Sequence, residues 1–294
     1  MAQSTPTPLK TFSLRPPKAP NLLIAPVEYT QQYQDQMNNA LRLYFNQIDN
    51  FAQPFSSNTG GSFLKFPNGA FYQDGATTLT TGITNVSTTP IVVADTSGFA
   101  LTAGAIIIGT EIITYTGKTA TTFTGITRGA YGSTKAAHTA GAAVTEAQNL
   151  ASPTVSTALT VLQTTTSNGV ALDATDKTKI VFSIAGIYNI QFSVQMVSYD
   201  GTIDNVTLWW RLNGVDIPYS AGVATVPAIH GGNAGTAIIS WNLVQPVNAG
   251  DYMQLLFASD TGNTVCATYA AGTAPVHPVS PSVIITATFV SALY

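Results

Sequence analysis

The chain has 294 residues, of which 11 are Lys or Arg and 14 are Asp or Glu, so only 9% are charged and the net charge is −3. A soluble domain ordinarily carries about 25% charged residues, and a nucleic-acid binder would show a Lys/Arg footprint that is missing here. A hydrophobic content of 45%, with a single cysteine (Cys266), excludes a charge-driven disordered chain and a disulfide scaffold.

Runs such as Ile106–Ile108 and Val283–Val290 are far shorter than the roughly 20 apolar residues that span a bilayer, so membrane insertion is not expected. The chain carries 24 Gly and 16 Pro, Thr recurs throughout, and Lys and Glu are scarce. That mixture favours strands over helices. The expected fold class is therefore mainly β, with a polar but uncharged surface of the kind common in extracellular adhesins and virus shells. The first ten residues, MAQSTPTPLK, lack the charged and apolar regions of a secretion signal. An exit other than secretion is expected, lysis being one such route.

Residues 1–29 read as an extended, Pro-rich anchoring arm. Pro6, Pro8, Pro16, Pro17, Pro20 and Pro26 fix φ and remove donors, which favours polyproline II. Such a segment is either a disordered terminus or an arm lying in a groove on a partner. Phe12, Leu14, Leu22, Leu23 and Ile24 supply apolar anchors that a pure spacer would not need.

Residues 30–55 read as a helix with Thr30 as N-cap. Met37, Leu41, Tyr44, Ile48, Phe51 and Phe55 follow steps of 4, 3, 4, 3 and 4, the period of a coiled-coil seam. Pro54 is expected to end it. The stripe serves either packing on the helix's own domain or self-association. The flanks hold Asn, Gln and Tyr where solubilising Lys and Glu would be expected, which favours self-association.

Residues 56–74 read as a linker, with Gly60-Gly61 and Pro67-Asn68-Gly69 as turn signals. Residues 75–149 read as a small β module of hairpins, including Ile91–Val93, Ala105–Ile108, Glu111–Tyr115 and Thr121–Thr124. A Gly- and Ala-rich loop, TRGAYGSTKAAHTAGAAV, follows. Residues 150–294 read as a larger β domain. In Gly186–Met196, Tyr188, Ile190, Phe192, Val194 and Met196 alternate with polar residues at period 2. Val206–Leu212 leads into Asn213-Gly214, a strong hairpin signal. Ala237–Val244, Tyr252–Ala258 and Val283–Val290 complete the strands.

No catalytic residues, metal or cofactor are expected. His138, His230 and His277 sit far apart in Gly-, Ala- or Pro-rich loops, with no metal-ligand spacing. Cys266 has apolar neighbours and reads as a buried thiol. Asp173, Asp176, Asp200 and Asp204 fall in turns, where acidic residues usually cap their own backbone; Asp216, Asp251 and Asp260 complete the list of acids searched for a glycan-cutting pair. The aromatics are a better lead. Trp209 and Trp210 must face opposite sides of one strand, so one can fill a core and the other lies outside. With Tyr219 and Trp241 they form candidate receptor or subunit-interface aromatics, suited to a saccharide face or to a trimer contact. The loops around 198–205, 219–235 and 259–281 are the expected contact regions.

Ala185-Gly186-Ile187-Tyr188 leading into Phe192-Ser193-Val194 resembles the start of a C1q/TNF-like jelly roll. The hairpin at Asn213-Gly214, the step from Leu243 through Gly250-Asp251 to Tyr252, and a last strand with Phe289 follow in the same order. The resemblance covers roughly residues 180–294 and implies a homotrimer of jelly rolls that binds partners through outer loops or apex. The N-terminal part, Ala19-Pro20-Asn21-Leu22 with Tyr29–Phe51 (YTQQYQDQMNNALRLYFNQIDNF), resembles virion proteins of tailed phages, notably marine and freshwater podoviruses. The stretch Gly104–Val144 (GTEIITYTG, TRGAYG, AAHTAGAAV) is similar to a small β module that recurs in phage structural proteins. These resemblances imply a homotrimeric fibre or spike on the virion surface. Its arm and helix would contact other virion proteins, of the tail or the capsid, and its C-terminal knob would adhere to a host-surface glycan. A trimeric capsid decoration, cement or head-fibre protein is the alternative. A glycan-cutting spike and a secreted C1q-like protein are weaker readings.

Overall fold

The computed structural model describes residues 17–22, 24, 27–28, 30–56, 66–99, 103–149, 155–273 and 275–293. The chain divides into two compact units, Met1–Lys65 and Phe66–Tyr294. In the first, a helix spans Gln31–Ser56. Thr30 caps it, its Oγ1 accepting from the amide of Tyr33 at 3.3 Å, which satisfies one of the orphan donors of the first turn. The helix continues past Pro54, where the expected stop lay.

The second unit is mainly β and is built on two antiparallel sheets. Residues 68–73 lie at the end of the expected linker, yet they form its first strand, β1 (Asn68–Gln73). The chain then makes β2 (Ala76–Thr78), β3 (Gly104–Ile108), β4 (Glu111–Tyr115) and β5 (Ala143–Gln148). Next come β6 (Gln163–Asn168), β7 (Val170–Leu172), β8 (Ile180–Phe182), β9 (Gly186–Ser198) and β10 (Asp204–Leu212). β11 (Gly222–Val226), β12 (Gly235–Val247), β13 (Tyr252–Ser259), β14 (Thr264–Ala267) and β15 (Val283–Ser291) complete the main strands. The larger sheet runs β6-β1-β15-β9-β14-β5-β3-β4, with β12 also on β9 and β2 on β5. The smaller sheet runs β7-β8-β13-β10, with β11 also on β10.

The two sheets share one core. Tyr188, Ile190, Phe192, Val194 and Met196 of β9 are buried, as their alternation requires, against Val206, Leu208 and Trp210 of β10 and Met253, Leu255 and Phe257 of β13. Phe71 of β1 joins the same core at 1% exposure. The hairpin after β10 turns at Asn213 and Gly214, whose φ values of 49° and 82° are the two positive angles of a type I′ turn.

The module has its own core of Leu79, Ile83, Ile91, Val93, Phe99, Ile106, Ile108, Ile113, Tyr115, Phe123 and Val144. It is nevertheless stitched into the larger sheet. Ala147 and Gln148 of β5 pair with Ala267 and Cys266 of β14. The other face of β3 and β4, carrying Ala105, Ile107 and Ile112, packs with Val197, Val265 and Ala267. Burial on both faces explains the unbroken apolar run Ile106–Ile108.

Chain order and spatial order therefore differ. The sandwich takes one strand from before the module, and residues 75–149 are an insertion between β1 and β6. Phe66 enters beside Phe289, with ring centroids 6.3 Å apart, at the end of the sandwich where β15 closes. β1 then runs away from that end and delivers the module to the opposite one, where β9 finishes at Ser198. The expected boundary region at 150–154, residues 57–65 of the linker, and Tyr29 lie outside the described residues.

If β1 is a core strand, Phe71→Ala should lower unfolding free energy by about 3–5 kcal/mol in urea titration, the usual cost of emptying a buried phenylalanine site. A change at a linker position would leave the midpoint where it was.

Candidate functional site

The sequence singles out three groups of side chains: the helix stripe, the arm anchors and the aromatics. On the helix, Met37, Leu41, Tyr44, Ile48 and Phe51 share one half-buried face, while Leu43 and Phe45 on other faces are more than half exposed. Asn38 and Asn39 hydrogen-bond with Gln34 and Arg42 along the polar side. In the arm, Leu22 and Ile24 are exposed, the latter at 95%. Phe12, Leu14, Leu23 and the side chain of Phe55 lie outside the described residues.

The four aromatics do not form one platform. Trp210 is fully buried, its ring edge-on to Phe192 at 5.9 Å. Trp241 is half-buried and meets the same Phe192 ring at 4.4 Å. It lies over Gly222, where an added Cβ would come within 2.7 Å of the indole. Trp209 is on the opposite face of β10. There its indole N–H donates to Asp216 at 2.9 Å, and Arg211 Nε donates to the same oxygen at 2.7 Å. Tyr219 is fully exposed at a positive φ of 65°, a conformation that costs energy for a residue with a Cβ.

The outer face of the larger sheet forms a continuous surface. Across β12, β9 and β15 the register sets Val244, Asn189 and Thr288 in one row, then Asn242, Gln191 and Thr286, then Ser240, Ser193 and Ile284. Asn242 donates to Asn189 at 3.1 Å. Ile238 (71% exposed) and Val244 (55%) stand on it without cover. None of the three strands contains an Asp, Glu, Lys or Arg. β12 is moreover an edge among the described residues, where β9 is its sole strand partner. Folds usually blunt long edges with charge, proline or a bulge, and here Pro246 near one end is the only such device.

The carboxylates are occupied locally. Asp200 accepts from the amide of Thr202 at 3.0 Å and from Asn263 at 2.6 Å. Burial pushes its pKa up, but those donors outweigh burial and hold it below the usual range. Asp260 binds the Asn205 amide, and Asp173 caps Thr175 and Asp176. Buried Asp204 takes the hydroxyls of Thr261 and Thr264. Cys266 is fully buried, and burial pushes its thiol pKa far up. Among the described residues, no group of three His, Cys, Asp or Glu side chains is placed to hold a metal ion. No helix of the described residues is long and apolar enough to cross a membrane.

One buried charge cluster was not legible beforehand. Glu111 has no exposed side-chain surface and accepts from Arg128 Nε at 2.7 Å and Nη2 at 2.8 Å. The amides of Gly129 and Ala136 also reach it, as does His138 Nε2 at 2.8 Å. Arg128 in turn donates to the carbonyls of Thr84 and Ala136. The Gly- and Ala-rich loop thus wraps around one carboxylate. The available signal was a lone Glu inside the apolar stretch Ala105–Ile113. Comparison with known proteins finds no family model that matches the chain and no matching curated protein.

Burial alone would raise the Glu111 pKa, but the Arg128, Ala136 and His138 bonds outweigh it and hold it low. A depressed carboxyl contributes stability that is complete above its unfolded pKa of about 4.3 and disappears as pH falls through the folded value. Glu111→Gln should therefore cost about 3–5 kcal/mol at pH 7, as expected for breaking a buried pair. The gap to wild type should shrink below about pH 4. Chemical denaturation at pH 7, 5 and 3 checks this, and a gap independent of pH would assign the cost to shape instead.

Proposed function

We propose that the chain is a structural protein of a bacteriophage particle, a homotrimeric fibre or spike held through its N-terminal part and presenting its β unit for adhesion to a host-surface glycan. The observation that carries the reading is the charge-free, exposed outer face of β12, β9 and β15, bounded by the bare edge of β12. A surface of this kind suits contact with another polypeptide better than contact with solvent. We assign that contact, over the rows of Val244, Asn242 and Ser240, to sister subunits.

The sandwich supports a C1q/TNF-like jelly roll. The chain crosses from one sheet to the other between β6 and β7, β8 and β9, β9 and β10, β11 and β12, β12 and β13, and β13 and β14, while the first and last main strands lie side by side. The helix stripe at Met37, Leu41, Tyr44, Ile48 and Phe51 has the spacing of a self-associating seam. The phage assignment rests on the resemblance of residues 19–51 and 104–144 to virion proteins. The role is one of contact rather than catalysis, consistent with carboxylates that cap loops.

Mass photometry of the full chain should give a mass of three 30.7 kDa subunits, and the double change Leu41→Asp with Val244→Asp should give monomers with an unchanged melting temperature for the sandwich. For function, excess purified chain should block particle adsorption, and cryo-electron microscopy should place it at the tail. Density over the capsid, with adsorption unaffected, would transfer the chain to shell decoration.

A further inference from the structure

At the module end of the sandwich, the excursion between β14 and β15 folds back over the ends of β9 and β12. Tyr269 and Ser280 exchange backbone hydrogen bonds at 3.0 and 2.9 Å, closing the base of the excursion. Gln195 of β9 pins its returning limb, the side-chain NH2 donating to Ser280 Oγ at 2.9 Å and to the Pro281 carbonyl at 2.6 Å. Between the limb and the strands lies an open cavity of about 500 Å³, within the size range of ligand sites.

The chemistry of this cavity is narrow. Its eleven lining residues include no Asp, Glu, Lys or Arg. Gln195 spends its donors on the limb, which leaves its side-chain carbonyl as an acceptor. Thr236 and Ser280 add hydroxyls, and His277 an imidazole whose Nδ1 is engaged by the Pro278 carbonyl at 2.8 Å. The ring packs closely on Gly272, where a Cβ would meet Nε2 at 2.3 Å. Ile238, 71% exposed, provides an apolar ledge at the mouth. Tyr269 also lines the cavity, its hydroxyl shielded from solvent and so out of a ligand's reach.

We infer that this cavity binds a neutral saccharide unit of the host surface. An apolar ledge beside uncharged acceptors and hydroxyls matches a sugar, which offers a C–H face and a ring of hydroxyls. A phosphate, carboxylate or sulfate would find no counter-charge there. The inference rests on the adhesion reading and gives it a place. Gln195 lies nine residues along β9 from Gly186, about 30 Å at the rise of a strand, and so far from the Phe66 entry.

The test uses the full chain on an array of neutral, sialylated and sulfated oligosaccharides, with Ile238→Trp to fill the mouth and Thr236→Val to delete an exposed cavity hydroxyl. The expected result is binding to neutral glycans that falls about tenfold or more in both variants, a difference of about 1.4 kcal/mol. The melting temperature of Thr236→Val should not drop, because the residue is exposed and valine suits a strand. Wild-type binding by Ile238→Trp, binding confined to charged glycans, no binding at all, or loss of the oligomer in Ile238→Trp would each overturn the site, the last by assigning the cavity to a subunit contact. Adsorption blocking by wild type and Ile238→Trp alike would leave adhesion standing without this site. Glycan binding without any blocking would leave the site standing without adhesion.

Discussion

The second unit depends on the junction at Gln73. This side chain, fully buried at the end of β1, donates to the Gly98 carbonyl at 2.7 Å and to Glu146, and accepts from the Leu162 amide at 3.0 Å. Its backbone carbonyl accepts from the Ser282 amide at 2.8 Å. One residue thus joins the module, the segment returning from it and the approach to the last strand. The point where an insertion leaves a sheet must satisfy polar groups from several directions with no water present. An amide, with both donor and acceptor, suits that place better than a charge or a hydrocarbon.

The scarcity of charge has two faces. Inside, the few ions present are fully engaged, as Glu111 with Arg128 shows, and they hold irregular loops that lack sheet bonding. Outside, the surface of β12, β9 and β15 has nothing to repel a like surface. The proposed assembly follows from that contrast. Charge is used where the backbone needs an organiser, and it is absent where two polypeptides would otherwise have to desolvate it.

The β class, the alternation in β9, the Asn213-Gly214 turn and the Thr30 cap were all legible, because each is a local rule written in neighbouring residues. The opposed placement of Trp209 and Trp210 followed from period-2 geometry alone. Strand β1 was hidden: the Pro67-Asn68-Gly69 turn signal masked a short strand whose partners lie far away in the sequence. The Glu111 cluster was hidden for the same reason, since Arg128 and His138 meet it only once the loop has closed. So was the cavity, which joins Gln195 to a limb some 85 residues further along. Local rules cannot see contacts that only topology makes.

The position of β15 also governs when the molecule can form. β15 lies between β1 and β9, so each keeps one unpaired edge until that strand arrives, more than two hundred residues after β1. The module, whose core is local to residues 79–144, can condense while synthesis continues. At about 5–20 residues per second, the nascent chain would carry a finished module beside an open half-sandwich for several seconds. Its apolar strands would meanwhile be exposed to neighbouring nascent chains. Such long-range closure folds slowly and is prone to mispairing, which makes the arrival of β15, rather than subunit encounter, the event that licenses the proposed assembly.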